Sequence, residues 1–121
     1  MPRFMTFVRV EEDAIDMADA DPGFEERMGA LFEEITKAGV MLDTAGLRPT
    51  AEATRITWSE GRLSLTDGPF TETKEVVGGY ALMQCKDRAE ALEWAKRFLA
   101  AHPPHWTVGL EVREVEEQPG A

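Results

Sequence analysis

Cysteine is almost missing from this chain of 121 residues: Cys85 stands alone. That excludes a disulfide framework within the chain and a four-cysteine zinc site, and it fits a reducing cytoplasm. Bases are few as well, 13 against 23 acids, for a net charge of -10. Such a surplus repels phosphate backbones, so nucleic acid is not an expected partner. No apolar run approaches the roughly 18 residues of a membrane span. The opening Met1-Pro2-Arg3-Phe4 lacks the apolar core of a signal peptide, so neither membrane nor export is expected. Histidine is limited to His102 and His105. There is no P-loop, no nucleophile elbow, and no G-x-G-x-x-G frame around Gly78-Gly79.

What is present suits a compact domain. Apolar residues make up 43% and charged residues 30%, and the mean hydropathy is -0.32. A chain of this length buries roughly two thirds of its unfolded surface, enough for a core without staples. With no linker and no internal repeat, residues 1–121 are expected to form a single domain.

The local pattern can be followed from end to end. Residues 3–10 carry apolar side chains on both parities, Phe4, Val8 and Val10 against Met5 and Phe7, which predicts a strand covered on both faces. Glu11 to Asp21 holds six acids and no base and reads as a solvated loop. Asp21 and Pro22 open a helix, Phe24, Met28, Leu31, Phe32 and Ile35 form its apolar stripe, and Gly39 ends it. After Val40-Met41-Leu42 the text turns polar, a loop that leads to a hairpin. There Thr54, Ile56 and Trp58, then Leu63 and Leu65, alternate with polar residues around Glu60-Gly61. Asp67-Gly68-Pro69-Phe70 breaks the strand. Val76 to Cys85 is a second strand apolar on both parities. Asp87 with Glu90 opens a second helix, which Pro103-Pro104 stops. Thr107 to Val115 is a last strand, and Glu116 to Ala121 a polar tail.

The order β-α-β-β-β-α-β predicts an α+β fold: a ferredoxin-like antiparallel sheet with two helices on one face. Strands 3–10 and 76–85 then lie at its centre. Their second apolar face has no helix to cover it, so a homodimer is expected, with room for a small ligand between the facing sheets.

Leu65-Thr66-Asp67-Gly68-Pro69-Phe70-Thr71-Glu72-Thr73-Lys74-Glu75, followed by Gly78-Gly79-Tyr80, resembles the DGPF proteins, a branch of the YCII-related family. The likeness extends to Phe4-Met5, Ala38-Gly39-Val40, Gly46-Leu47-Arg48-Pro49, Glu90 to Ala95, and Glu111-Val112-Arg113. The resemblance implies a ferredoxin-like fold paired into a dimeric α+β barrel, and no settled activity. Shorter relatives are linked to catalysis by a His–Asp pair. That pair is not retained here: Phe24 stands near the first place, and the second helix ends in Phe98 to His102. The resemblance also implies an alternative role as an interaction module, since family members are often encoded beside alternative sigma factors.

Six residues stand out as site candidates. Asp67 shares the parity of Leu63 and Leu65, where a partly desolvated carboxyl can act as acid or base. An Asp before Gly-Pro also holds turns through its own backbone bonds, and both roles stay open. His102 and His105 are the candidate proton partners, against a helix-capping role for His102. Phe70, Lys74 and Tyr80 are candidate ligand contacts, Lys74 for an anionic group. The prolines inside His102-x-x-His105 deny helical metal geometry, so no metal is expected, and no cofactor. The resulting expectation is a cytoplasmic homodimer that binds a small organic molecule and performs acid–base chemistry without a cofactor.

Overall fold

The computed structural model describes residues 1–117. Its main sheet contains β1 (Arg3–Val10), β2 (Met41–Gly46), β5 (Val76–Gln84) and β6 (Gly109–Glu114). They lie in the order β2-β5-β1-β6 with every neighbouring pair antiparallel. Helix α1 (Phe24–Lys37) joins β1 to β2, and α2 (Arg88–Ala100) joins β5 to β6. This is the ferredoxin-like arrangement, with β1 and β5 central as their two-sided apolar pattern required.

One strand more than expected is present. Residues 41–46 pair with β5, so the order is β-α-β-β-β-β-α-β. Only Met41 of β2 is even half-buried, so this edge strand carries no alternation to read. The hairpin β3 (Thr54–Ser59) and β4 (Arg62–Asp67) stands apart from the main sheet as a separate two-stranded ribbon. Its turn has Glu60 at φ 52° and Gly61 at φ 76°, the pair of positive angles that matches the twist of a tight hairpin.

One sheet face carries the core. Phe4 pairs with Met83, and both lie under the helices with Ile35, Val40, Cys85 and Ala91. Trp94 and Val112 pack against this cluster. Helix α1 begins at Phe24, two residues later than Pro22 would place it. The Asp21 carboxylate instead accepts from Gly23 N and from the Arg27 guanidinium, closing the turn ahead of the helix. At α2 the Asp87 carboxylate accepts from Glu90 N at 2.9 Å, as expected of an N-cap. The Glu90 carboxylate in turn accepts from Lys86 N at 2.8 Å. The last strand is shorter than read, Gly109–Glu114. Val115 and Glu117 beyond it are tied to Arg3, the latter by a salt bridge of 2.6 Å. The remainder of the expected tail, 118–121, lies outside the described residues.

Among the described residues, no helix packs on the opposite face. There Met5 pairs with Leu82 and Phe7 with Tyr80, a block of four half-buried apolar side chains at the centre of the sheet. Glu111 and Arg113 flank it on β6, and Asp43 and Ala45 on β2.

Candidate functional site

A junction of three chain segments sits beside the helix-free face. Asp67, the last residue of β4, accepts from Thr54 Oγ1 at 2.8 Å across the hairpin. Gly68 N then donates to Ala53 O at 2.9 Å, and the Gly68-Pro69 peptide is cis. Phe70 is buried, and its N–H donates to Thr50 Oγ1 at 3.4 Å. Thr50 in turn donates its hydroxyl and its N–H to the Glu12 carboxylate. Those two bonds hold the Glu12 carboxyl below the usual carboxylate range, the hydroxyl contributing most. The Asp-Gly-Pro-Phe run therefore docks β4 onto the Pro49–Ala51 segment, which Glu12 anchors from the acidic loop.

Two clefts flank Phe70. The larger, about 840 Å³, is lined by Glu11, Glu12, Asp13 and Lys74 with Phe70 and Val76. The second, about 720 Å³, lies between the helix-free sheet face and the junction. Phe7, Val77, Leu47 and Phe70 provide its apolar lining, and Arg9, Arg48, Arg55, Glu75 and Glu111 its charges. Arg55 lies over the Phe70 ring at 3.8 Å and donates to Glu72 at 3.0 Å. Arg9 is shared between Glu111 at 3.4 Å and Glu75 at 3.5 Å. These pairs are half-exposed, so each is worth little on its own and a ligand carboxylate could compete for either guanidinium.

The six sequence candidates fall in different places. Phe70 lines both clefts. Lys74 stands at the mouth of the acidic cleft, 3.8 Å from the Glu11 carboxylate. Tyr80 is on the helix-free face and donates to Asp43 at 2.8 Å, a bond that raises its phenol above the usual range. Asp67 does share a face with Leu63 and Leu65, but within one chain that face is exposed, so the carboxyl is not desolvated there. His102 is half-buried against Phe24, Phe98 and Trp106, with Nδ1 2.9 Å from Phe98 O. His105 Nε2 meets Asp19, 3.0 Å from its carboxylate. Neither histidine bonds to Asp67, and none of the three lines the two clefts. Among the described residues, no three His, Cys, Asp or Glu side chains converge as a metal site would require.

Sequence reasoning missed Glu12, Thr50, Arg9 and Arg55. Glu12 was hidden in an acid-rich loop, and the others become neighbours only through the tertiary fold. Among the described residues, no helix is long and apolar enough to cross a membrane.

An uncharacterized protein of Rhizobium meliloti (strain 1021) is 36% identical over 86 residues, 71% of this chain and 68% of that protein. The sequence model of the YCII-related domain matches residues 3–118, which takes in the core strands, both helices and the Phe70 junction. The chain belongs to the YCII-related family.

Proposed function

We propose that the chain acts as a single domain and as a cytoplasmic homodimer, and that it binds a small organic molecule in the cleft between the helix-free face and Phe70. The observation that carries this is the cleft itself. Its 720 Å³ suits a small-molecule site, and aromatic walls meet convergent charged groups in it. Phe70 is the central contact, with Tyr80 farther along the same face and Lys74 at the neighbouring mouth. The four apolar side chains of the helix-free face support the dimer, because a second copy would take them out of water. The buried free thiol of Cys85 supports a reducing compartment.

Cofactor-free acid–base turnover is the finer form of this reading. Asp67 is its acid or base, and because it lines neither cleft of its own chain it acts on a ligand held in the cleft of a second copy. Phe98 and Asp19 hold His102 and His105 within the chain, so they serve Asp67 only across the boundary between two copies.

A thermal-shift screen of small organic acids and amines tests the binding. The expected result is a compound that raises the melting temperature of the wild type and loses its effect with Arg9→Ala, an exposed change at the cleft wall. If no compound shifts the melt and a protein co-purifies in stoichiometric amount, the interaction-module reading replaces this one. Asp67→Asn separates the two roles of that residue. Turnover lost with the melt unchanged supports proton transfer, whereas an unfolded variant marks Asp67 as a turn residue.

A further inference from the structure

The hairpin is an amphipathic ribbon mounted inside out. Ile56 pairs with Leu65 and Trp58 with Leu63 on one face, and these side chains are 65%, 66%, 70% and 65% exposed. The opposite face is polar and likewise exposed, and of its side chains Arg55 reaches the chain's own body. Its Arg55 stacks on Phe70 and forms part of the cleft wall. The apolar face therefore cannot cover the sheet of its own chain. Yet an isolated two-stranded hairpin is marginal in water unless a further layer packs against it.

We infer that the β3–β4 hairpin is an arm whose apolar face lies on the helix-free sheet face of a second copy, closing that copy's cleft. The inference rests on the homodimer proposed above and says what covers each face. One molecule presents two uncovered apolar surfaces, the outward hairpin face and the block of Met5, Phe7, Tyr80 and Leu82. A two-fold arrangement lets each surface cover the other in trans, with the contact made twice. Ile56, Leu63, Leu65 and Trp58, each about two thirds exposed, offer on the order of 500 Å² per hairpin, with the indole giving the largest share. Two hairpins bury about 1,000 Å², and the two receiving faces, already half-buried, bring the total to about 1,500 Å², within the range of a standard stable interface. A net charge of -10 disfavours the other obvious apolar acceptor, an anionic membrane surface. In this assembly the cleft is incomplete in a single chain, and the partner's arm supplies its missing wall.

Sedimentation of the wild type across a dilution series, beside Trp58→Lys combined with Leu63→Lys, tests the arm. The expected result is a wild-type dimer and a variant whose dimer dissociation constant rises by about a hundredfold or more, with an unchanged far-ultraviolet spectrum. Amide exchange on the unmodified protein provides a second measurement that needs no variant. Protection of 54–67 should grow with protein concentration. A wild-type dimer with a variant equally dimeric, or hairpin protection that ignores concentration, overturns the arm and leaves the homodimer standing. A wild-type monomer at every concentration overturns both. So does a monomer whose hairpin is protected only after lipid vesicles are added.

Discussion

Gly68 has no room for a β-carbon. One built there would lie 1.6 Å from the carbonyl oxygen of Thr50, a backbone atom that cannot swing aside. The glycine of the Asp-Gly-Pro-Phe run thus lets the end of β4 press against the 50–53 turn, where Gly68 N also finds its acceptor. Gly68→Ala should destabilise the protein by about 3 kcal/mol or more, at or beyond the upper end of ordinary overpacking. A urea titration followed by tryptophan fluorescence checks this, and a midpoint unchanged from wild type would mean the junction is looser than its geometry. Its neighbour Asp67 faces no such crowding. It is held by one hydroxyl and stays in water within one chain, which is why its chemistry depends on what covers the hairpin.

The elements are joined by few but well-placed polar ties. Arg27 in the first turn of α1 donates to both oxygens of Asp21, at 2.7 and 2.8 Å, and its Nε donates to Ala101 O just past the end of α2. One side chain thereby closes the turn into α1 and links it to the neighbouring helix. The Arg27 hydrogen bond holds the Asp21 carboxyl down at about 2. An acid whose folded pKa is depressed stabilises the fold above its unfolded value, near 3.9, and that stabilisation is lost as pH falls toward 2. Asp21→Asn should accordingly lower the melting temperature at pH 7, and the gap from wild type should close by about pH 2. Paired thermal melts across that range decide it. A gap that persists unchanged at the acid end would mean that ionisation of Asp21 contributes nothing.

Across the whole molecule, the sheet separates a finished face from an unfinished one. The helix-covered face contains Cys85, which is fully buried in the core cluster, and burial pushes its thiol up to about 11. Such a thiol reacts only when the core opens. Labelling with a thiol reagent at pH 8 should run about a thousandfold or more slower in native buffer than in denaturant, the gap reflecting the free energy of global opening. Labelling at the denatured rate in native buffer would place Cys85 outside the core. The unfinished face carries the cleft and the apolar block, and the hairpin stands beside it with its own apolar side turned outward. Both incomplete surfaces lie on the side where no helix packs.

Much of this was readable beforehand, for local reasons. Apolar side chains on both parities of residues 3–10 and 76–85 marked the two central strands, because a strand paired along both edges is the one whose two faces both carry apolar side chains. The stripe from Phe24 to Ile35 and the Asp87 cap marked the helices through contacts within a turn or two of chain. Residues 41–46 could not be read this way. An exposed edge strand takes its conformation from hydrogen bonds to a partner far along the chain, and its side chains record little of that. The site was less legible still. The sequence alone determined that an Asp-Gly-Pro-Phe run ends a strand and that Leu63 and Leu65 share a face with Asp67. Only the tertiary structure decided that Glu12 anchors the junction through Thr50, that Arg9 and Arg55 meet around Phe70, and that both histidines are held elsewhere. It also decided that the apolar hairpin face points away from its own body. Alternation specifies which residues share a face, whereas the direction that face looks is set by contacts between segments distant in the chain.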